Sequence, residues 1–556
     1  MPEKYVINVD LANVKFTDPD SNKTKTWVLG WGDMVEIEDP DNDITDAEIK
    51  INWTAFQTQP DGSVKPINVT GKIKTKPKEG LTKDTILLKA EDNDVLKVDF
   101  VDIQQGDGSV IETPAGKKIL IDGGDNQLFA RYLANRFRGS SNEDPCKVDC
   151  ILVTHGDADH FLGLTEIHES ETLERLESEP WKRLFICPER VYHNGLVKRP
   201  GTINEKSVPD KELLGETVEF EDPDTGEKIV VITELETNLI DVDPAKMNGP
   251  FKRWQKVLGA YDDRLRKIQK ASGADETGIE FRRLEIGDND AFDFVEDDVQ
   301  IEVFAPILTE IDGGNAGLRF LHTPPNSPRS DEEAMSLSDE EFRGSLSASH
   351  TINGHSIVFM MRYGGFTFLF SGDLNDEAER ILTQLHNRNE INLQSDVFKV
   401  PHHGSHDFSG AFVQAVAPIV SVVSSGDESA RKEYIHPRAT LVGALGKNSR
   451  VEEPLIFITE LVAFFQTEGW MRRRYQELTD EGEAAAKRKE DIVNPGSKEF
   501  HDFYAFSRAA FGIVMVRTDG QRLLVYTNSA LADSKEAYAF EIDEFGKPEK
   551  VAIRKV

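Results

Sequence analysis

The feature that most constrains this chain is a short run of histidines and aspartates directly after an apolar segment. Residues 148–154, VDCILVT, have the composition of a buried strand, which ends immediately before His155. Four potential metal ligands then lie within six residues, namely His155, Asp157, Asp159 and His160. A tight turn after a strand can aim such side chains at one point, which a regular helix or strand cannot do at this spacing. The run therefore predicts a metal site at the end of a buried strand.

Polar side chains also follow three later predicted strands. Asp373 comes after the run FLFSG, and His402 and His403 come at the end of the strand SDVFKVP. His436 lies beyond a further strand, IVSVVSS. Because the carboxyl ends of neighbouring strands meet at one edge of an open α/β sheet, we expect these groups to complete the site. Taken alone, Asp373 would also fit a cap for the helix that follows it.

The sequence pattern divides the chain at about residue 93. Residues 1–92 contain short β-branched and aromatic runs between turns, which predicts a small all-β domain; an SH3-like barrel would fit. Residues 93–556 alternate strands and helices and are predicted to form an α/β domain. Within it, residues 180–300 are predicted to be an insertion with an amphipathic helix, and residues 322–349 a mobile loop rich in Pro, Ser and acidic residues.

Composition narrows the class of protein. The 556 residues include 65 Lys and Arg against 99 Asp and Glu, and the formal net charge of −34 argues against indiscriminate coating of nucleic acid. Three cysteines cannot form a disulfide scaffold and suit a reducing compartment. The first residues lack the pattern of a signal peptide, and no apolar run approaches the roughly 20 residues of a membrane span. We therefore expect a cytoplasmic protein without a membrane segment.

Together, the motifs resemble the metallo-β-lactamase superfamily. The runs HGDADH at 155–160, GD at 372–373 and HHGS at 402–405 are similar to its ComEC-type branch, in which an aspartate replaces the second histidine of the H-x-H-x-D-H motif. The segments VDIQQGD at 101–107 and ILIDGG at 119–124 also resemble the opening strands of that branch.

The resemblance covers roughly residues 95–175 and 350–450 and the last hairpin of the chain. It implies an αββα sandwich with a dinuclear metal site at one edge. The membrane channel of full ComEC proteins has no counterpart in this sequence, so a stand-alone relative is implied.

The resemblance also implies a set of metal ligands. His155 and Asp157 would bind one ion, and Asp159 and His160 the other. Asp373 would bridge the two ions. The remaining ligand would be His403, because the pattern Val-Pro-x-His-Gly aligns it with the histidine that ends the family's strand. His402 would exchange roles with His403 or contact the substrate. The family's sixth ligand falls near Ile352, which leaves His350, Asn353 and His355 as alternatives.

Other residues are implied to support the reaction. Asp122 would orient the metal-binding loop, and Asn353 and Ser405 would also lie behind the ligands. His436 would face the ligands across the cleft, where it would contact a phosphate or protonate the leaving group. The residues expected to take part in the reaction itself are Asp159, His402 and His436.

Ligand chemistry predicts the cofactor. Two divalent cations against the three carboxylates of Asp157, Asp159 and Asp373 leave about one positive charge, which would attract a phosphoryl group and acidify a water molecule. Because Asp157 replaces a histidine, the ligand set is harder, and manganese is expected to support activity at least as well as zinc.

The favoured function is hydrolysis of phosphodiester bonds in DNA or RNA by water that the metal ions activate, since ComEC-type relatives are linked to DNA degradation. Basic residues of the insertion helix, such as Lys252, Arg253 and Arg264, and the clusters 472–474 and 487–489 are more typical of solvated surfaces but would be able to hold a strand. One alternative is a hydrolase of a nucleotide, phospholipid or ester. A weaker alternative is a regulatory module with a structural metal site, in which residues 1–92 bind a protein partner.

Overall fold

The computed structural model describes most of the chain. The described ranges are 2–19, 22–58, 64–104, 106–172, 179–203, 205–221, 226, 228–311, 315–323, 345–426, 436–459, 475–476, 500–501, 512–527 and 536–556. The basic clusters at 472–474 and 487–489 and most of the predicted loop at 322–349 lie outside these ranges.

The N-terminal part of the chain is a small all-β domain, as predicted. Its seven strands form one antiparallel sheet, with short helical turns at Pro40–Asp43 and Lys83–Ile86. The strand order in the sheet is Thr24–Gly30, Leu11–Thr17, Val64–Lys74, Glu48–Thr58, Met34–Ile37, Glu3–Ile7 and Leu87–Lys89. Alternate residues face the core, because side chains alternate between the two faces of a strand. In Met34–Ile37, for example, Val35 and Ile37 are buried, while Met34 and Glu36 are exposed. An SH3-like barrel stays a prediction.

The last residues of the chain complete this N-terminal domain. Val556 is buried in its core, and the backbone N–H of Val556 donates to the carbonyl of Leu11 at 3.1 Å. Asp10 accepts from Nε of Arg522 at 2.9 Å, and both side chains are buried. The last residues of the chain are therefore held against the N-terminal domain, across the predicted boundary at residue 93.

After the N-terminal domain, the described residues form a sandwich of two sheets with helices outside, which confirms the predicted αββα fold. The larger sheet has ten strands, in the order Glu280–Arg283, Arg190–His193, Cys150–Leu152, Lys118–Asp122, Gly108–Glu112, Leu96–Phe100, Val514–Thr518, Arg522–Thr527, Ala537–Ile542 and Pro548–Val551. The smaller sheet has six strands, in the order Val299–Ala305, Val358–Tyr363, Phe366–Phe370, Val397–Lys399, Val420–Val423 and Leu455–Ile458.

The core between the sheets is aromatic. The rings of Phe359 and Phe370 stack 4.7 Å apart, and Phe100 of the larger sheet lies 5.9 Å from Phe370. Helices Leu128–Arg136, Ala158–Thr172 and Gly249–Ser272 pack on the outer face of the larger sheet. Helices Asp376–Asn387, Gly410–Val416 and Ala439–Asn448 pack on the outer face of the smaller one, and a short helix, Ala348–Gly354, precedes its second strand.

The predicted insertion helix forms where its periodicity indicated. Asn248 caps the N-terminus of helix Gly249–Ser272: its side chain accepts from the N–H of Phe251 at 3.0 Å. Gly273, in the left-handed conformation, caps the C-terminus. Phe251 and Trp254 are among its buried residues.

Two strands of the larger sheet, Arg190–His193 and Glu280–Arg283, also come from residues 180–300. The short paired strands Thr202–Ile203 and Lys206–Ser207, and the strand Ile186–Pro188, which pairs with Cys146–Val148, lie there too. A four-stranded sheet has the order Thr217–Glu221, Lys228–Ile232, Asn315–Arg319 and Thr309–Ile311. Tyr475–Gln476 pairs with Phe500–His501.

The parallel strands of both sheets end at one edge of the sandwich. Cys150–Leu152 runs parallel to its neighbours in the larger sheet, and Val397–Lys399 runs parallel to its neighbours in the smaller one. The segments that follow these two strands carry the predicted ligands. Among the described residues, every helix is too short or too polar to cross a lipid bilayer.

Candidate metal centre

Three histidines present the same ring nitrogen to a common point. Nδ1 of His160 contacts Oδ2 of Asp122 at 2.9 Å, and Nδ1 of His403 contacts the carbonyl of Ser424 at 3.1 Å. Nδ1 of His155 lies 3.2 Å from the hydroxyl of Ser356. These contacts assign the proton to Nδ1, which leaves Nε2 of each ring as the free ligand atom.

Asp373 lies between these rings. Its Oδ2 is 3.2 Å from Nε2 of His160 and 3.2 Å from Nε2 of His403. Asp159, in the first turn of helix Ala158–Thr172, is 3.8 Å from Nε2 of His403. Among the described residues, ligand atoms lie within 4.8 Å of one another in four groups of three. Two of them contain predicted ligands alone, namely His155 with His160 and Asp373, and Asp159 with His160 and His403. The other two include Asp107, once with Asp122 and His160 and once with Asp373 and His403.

Several of these ligand atoms are buried without a hydrogen bond among the described residues. They are Nε2 of His155, Nε2 of His160, Nε2 of His403 and Oδ1 of Asp373. A buried polar atom without a partner carries a desolvation cost, so such a concentration needs an explanation. Imidazole nitrogens and carboxylate oxygens are the ligands that zinc and manganese accept, and the donors therefore fit divalent cations.

Charges inside the centre compensate each other. Burial alone would lower the pKa of His160, but the carboxylates of Asp373 and Asp122 raise this pKa well above its usual value. Burial also opposes the ionisation of Asp373, but His403 and His160 hold its pKa well below the usual value. His155 differs, because burial and the neighbouring His160 lower its pKa.

A second layer of residues fixes the ligands in place. Asp122 accepts from the N–H and the hydroxyl of Thr154, at 2.8 and 2.7 Å, besides its contact with His160. Lys399 is buried, donates to Oδ2 of Asp107 and to the carbonyl of Gly372 at 3.0 Å, and so ties two loops together. Oδ1 of Asp107 lies 3.6 Å from Nδ1 of His403.

Ser356 links His155 to Asp373. Its hydroxyl, already placed beside the ring of His155, accepts from the N–H of Asp373 at 2.9 Å and donates to the carbonyl of Asn353 at 2.7 Å. Sequence reasoning missed both Ser356 and Lys399. The lysine was detectable in principle, because it interrupts an apolar strand, whereas the serine has no local signal.

The alternatives for the sixth ligand do not join the two groups. Nε2 of His355 lies 2.7 Å from the carbonyl of Arg319, and Nδ1 of His350 lies 3.4 Å from Oδ2 of Asp407. Asn353 does lie beside the centre: with its amide nitrogen facing the acceptors, it donates to Ser349 and to Oδ2 of Asp157, both at 3.1 Å. The amide of Asn353 therefore contacts Asp157, which belongs to none of the groups of close ligand atoms.

Asp157 is held by a lysine. Nζ of Lys198 donates to Oδ1 of Asp157 at 2.8 Å. Burial raises the pKa of Asp157, and Lys198 opposes this shift. Lys198 lies within the predicted insertion, and sequence reasoning did not single it out. Among the described residues, no group of three close ligand atoms includes Asp157.

His402 and His436 lie next to each other beside the metal centre, and both are partly exposed. Their ring centres are 6.2 Å apart, and the ring of His402 is 6.2 Å from that of His403. Burial lowers the pKa of His402, and burial together with His403 lowers the pKa of His436 to about 3. Both rings are therefore neutral at pH 7. Ser405 closes the turn behind them: its N–H donates to the carbonyl of His402 at 2.8 Å.

The turn that carries the two histidines has an unusual backbone. His402 and His403 both have positive φ, 49° and 53°, and Gly404 follows at 83°. Non-glycine residues seldom adopt this conformation, and such positions cluster at functional sites. The turn is how the chain directs both rings to the edge of the sandwich.

The basic residues of the insertion helix are mostly neutralised. Arg253 contacts Glu166 at 2.6 Å, and Arg264 contacts Glu171 at 2.8 Å. Arg266 is paired with Asp262 within the helix at 2.7 Å. The partners Glu166 and Glu171 come from helix Ala158–Thr172, so the pairing was invisible in the insertion sequence alone. These arginines are paired with carboxylates of the protein, so the interpretation of the basic face as an ordinary solvated surface fits them better than a role in holding a strand.

Comparison with known proteins agrees with the motifs. Residues 102–232 match the metallo-beta-lactamase superfamily. The chain is 32% identical over 98 residues to ComE operon protein 3 of Bacillus subtilis (strain 168), which is 17% of this chain and 12% of that protein. It is 40% identical over 86 residues to competence protein ComA of Neisseria gonorrhoeae, which is 15% of this chain and 12% of that protein. The match thus spans a small part of both relatives.

Proposed function

We infer that this chain, which contains a metallo-β-lactamase domain of the ComEC-like type, is a metal-dependent hydrolase of phosphodiester bonds. The domain supports hydrolysis, and the sequence match supports the type. One observation carries the proposal: buried imidazole and carboxylate atoms that have no hydrogen bond among the described residues converge at the sandwich edge. Such an arrangement is costly for a structural protein and useful for an enzyme.

We place one ion in each of the two groups of predicted ligands. His155 and His160 would hold one, and Asp159 and His403 the other. Asp373 would be shared, since its Oδ2 lies 3.2 Å from Nε2 of both His160 and His403. When bound, two such cations lower the pKa of an attacking water and offset the charge of the reacting oxygens.

The chain's own residues would position the substrate. His402 and His436 are partly exposed beside the metal centre, and as neutral rings they are suited to hydrogen-bond a phosphoryl oxygen. The low pKa of His436, about 3, makes it a poor proton donor at pH 7, so we propose substrate contact as its role. Arg438 follows on the same segment, and its Nε is buried without a hydrogen bond among the described residues.

We propose nucleic acid as the substrate. The name of one relative, competence protein ComA, refers to competence, and the resemblance described above links the ComEC-type branch to DNA degradation. The net charge of −34 would repel a long polyanion from most of the surface. Because the arginines of the insertion helix are paired with carboxylates, we place the strand at the metal centre and not along that helix.

The test is a screen of metal-loaded protein against four substrates: single-stranded DNA, duplex DNA, RNA and bis(p-nitrophenyl) phosphate. Asp159→Ala and Asp373→Ala should lose turnover, while Asp263→Ala, on the exposed face of the insertion helix, should keep it. Turnover of DNA or RNA should fall steeply with salt as counterions are released.

Two outcomes would contradict the proposal. Cleavage of the small ester alone, with no salt dependence, would favour a small-molecule hydrolase. Undiminished turnover in Asp373→Ala would place the chemistry elsewhere.

A further inference from the structure

We propose that Lys198 binds an anionic oxygen of the substrate, and that Asp157 positions this lysine instead of ligating a metal ion. The inference builds on the proposed function, since it assumes a phosphoryl group at the metal centre. It assigns to substrate binding a residue that the sequence analysis did not single out.

The two oxygens of Asp157 already have partners in the protein. Oδ1 accepts from Nζ of Lys198 at 2.8 Å, and Oδ2 accepts from the amide of Asn353 at 3.1 Å. Nε2 of His155 and Nε2 of His160, on the same loop, are buried and lack hydrogen bonds among the described residues. A cation at Asp157 would have to displace an ammonium group, whereas a cation at the histidines would satisfy empty ligand atoms.

The backbone fixes Lys198 at this place. Strand Arg190–His193 is parallel to Cys150–Leu152, so both strands end at the same edge of the sheet. The loop after it is anchored at three points: the side chain of Asn194 donates to the carbonyl of His355 at 2.9 Å, the carbonyl of Lys198 accepts from Asn248 at 2.9 Å, and Arg199 N–H donates to Leu213 at 2.8 Å.

The anchor at Asn248 matters most, because this residue is the N-cap of the insertion helix. The insertion thereby sets the position of Lys198 relative to the metal centre. Residues that a rigid framework holds in place lose little entropy on binding a ligand, which favours a binding role.

The ammonium group has capacity for a ligand. The side chain of Lys198 is 28% exposed and that of Asp157 19%, so the pair is partly exposed to solvent and not within the core. An ammonium group has three N–H donors, and Asp157 uses one. Among the described residues, Lys198 has no second carboxylate partner, whereas its neighbour Arg199 is paired with Glu234. Two donors therefore remain for the oxygens of a phosphoryl group.

The experiment compares three variants with the wild type, all loaded with the same metal. Lys198→Met removes the ammonium group, and Asp157→Ala removes its partner. Lys246→Met is the matched control, because Lys246 pairs with Glu234 in the same part of the insertion. The readouts are metal content by elemental analysis, the Kd of inorganic phosphate by calorimetry, and the KM and kcat for bis(p-nitrophenyl) phosphate.

We expect all three variants to bind as many metal equivalents as the wild type. Lys198→Met should raise the phosphate Kd and the KM at least about tenfold, which is the loss of roughly one charge-assisted hydrogen bond. Asp157→Ala should raise both by a smaller factor, and Lys246→Met should change neither. Lys198→Met should also weaken the binding of acetate, a carboxylate probe, but by a smaller factor than the binding of phosphate.

Loss of a metal equivalent in Asp157→Ala would overturn the proposal, because Asp157 would then be a ligand. An unchanged phosphate Kd in Lys198→Met would also overturn it, as would a wild type that does not bind phosphate. Failure of the proposed function is a separate result: the wild type would turn over no phosphodiester, while metal content and phosphate Kd would still decide the role of Lys198.

Discussion

Asp122 accepts a hydrogen bond from Nδ1 of His160 at 2.9 Å, and Nε2 of the same ring lies 3.2 Å from Asp373. The carboxylate thereby fixes both the tautomer and the direction of a ring that faces the metal centre. Asp122 has no contact with the other ligand atoms that would let it bind an ion with His155 or His403. It acts through His160, as a positioning residue.

Asp122→Asn should therefore weaken metal binding about 10- to 100-fold without unfolding the protein. Asparagine suits this position, because Asp122 has a φ of 55°, which asparagine tolerates. The measurement is a calorimetric titration with metal. Asp396→Asn is the control, since Asp396 is also buried and accepts from the N–H and the hydroxyl of Thr367 at 2.7 Å, but belongs to no group of ligand atoms. Equal metal affinities in Asp122→Asn and the wild type would contradict this role.

Gly163 brings the helix that carries His160 against the loop after Asp122. Its N–H donates to the carbonyl of Gly124 at 2.7 Å, and a Cβ at this residue would lie 1.9 Å from the carbonyl oxygen of Gly123. Gly163→Ala should lower the free energy of unfolding by about 1 to 3 kcal/mol and weaken metal binding, because the helix has to move.

Gly259→Ala is the matched control. Gly259 lies within helix Gly249–Ser272, and a Cβ there would have open space around it. The substitution should stabilise the protein by about 1 kcal/mol, as expected for a helix interior. Urea unfolding measures both variants, and a Gly163→Ala protein as stable as the wild type would contradict the packing argument.

Asp407 should make stability depend on pH. Burial and the nearby Asp376 raise its pKa from the ordinary value of 3.8 to about 7. Between these values the carboxyl is protonated in the folded chain and ionised in the unfolded one, so its contribution to stability is lost as the pH rises from about 4 to 7. His350 beside it has the opposite effect, since burial lowers its pKa to about 4 and its contribution is lost as the pH falls from 6.5 to 4.

Asp407→Asn separates the two groups, because asparagine imitates the protonated carboxyl. Relative to the wild type, the variant should gain up to about 4 kcal/mol of unfolding free energy between pH 4 and pH 7. Urea unfolding of metal-free protein across this range measures the difference. A difference that stays constant with pH would show that Asp407 has an ordinary pKa.

Metal preference depends on Asp157. The expectation of manganese came from counting this aspartate among the ligands. If Lys198 holds it, as we propose, the donors are three imidazoles and the carboxylates of Asp159 and Asp373, which suit zinc at least as well. Titration of chelator-stripped protein should then show turnover with zinc at least equal to that with manganese. A strict requirement for manganese would indicate that Asp157 is a metal ligand and is not held by Lys198.

Local sequence predicted the parts of the site that lie next to their own strands. His155 directly follows the apolar segment 148–154, and His403 follows Val397–Lys399, so the strand pattern placed both rings. The insertion helix was likewise predicted from the spacing of residues such as Phe251 and Trp254. In these cases the signal and the structure share one segment of the chain.

Contacts between distant segments were beyond this reasoning. Lys198 is 41 residues from Asp157, and Lys399 is 292 residues from Asp107. No periodicity encodes such pairs, because they depend on how the sheets and loops pack. The burial of Val556 in the N-terminal domain is a further example.

Anomalous X-ray diffraction from crystals grown with manganese or zinc tests the central claim most directly. The predicted result is strong anomalous density about 2.0 to 2.3 Å from Nε2 of His155, His160 and His403 and from the carboxylate of Asp373. Crystals of the same protein with no anomalous density among these side chains would contradict the metal centre and, with it, the proposed hydrolysis.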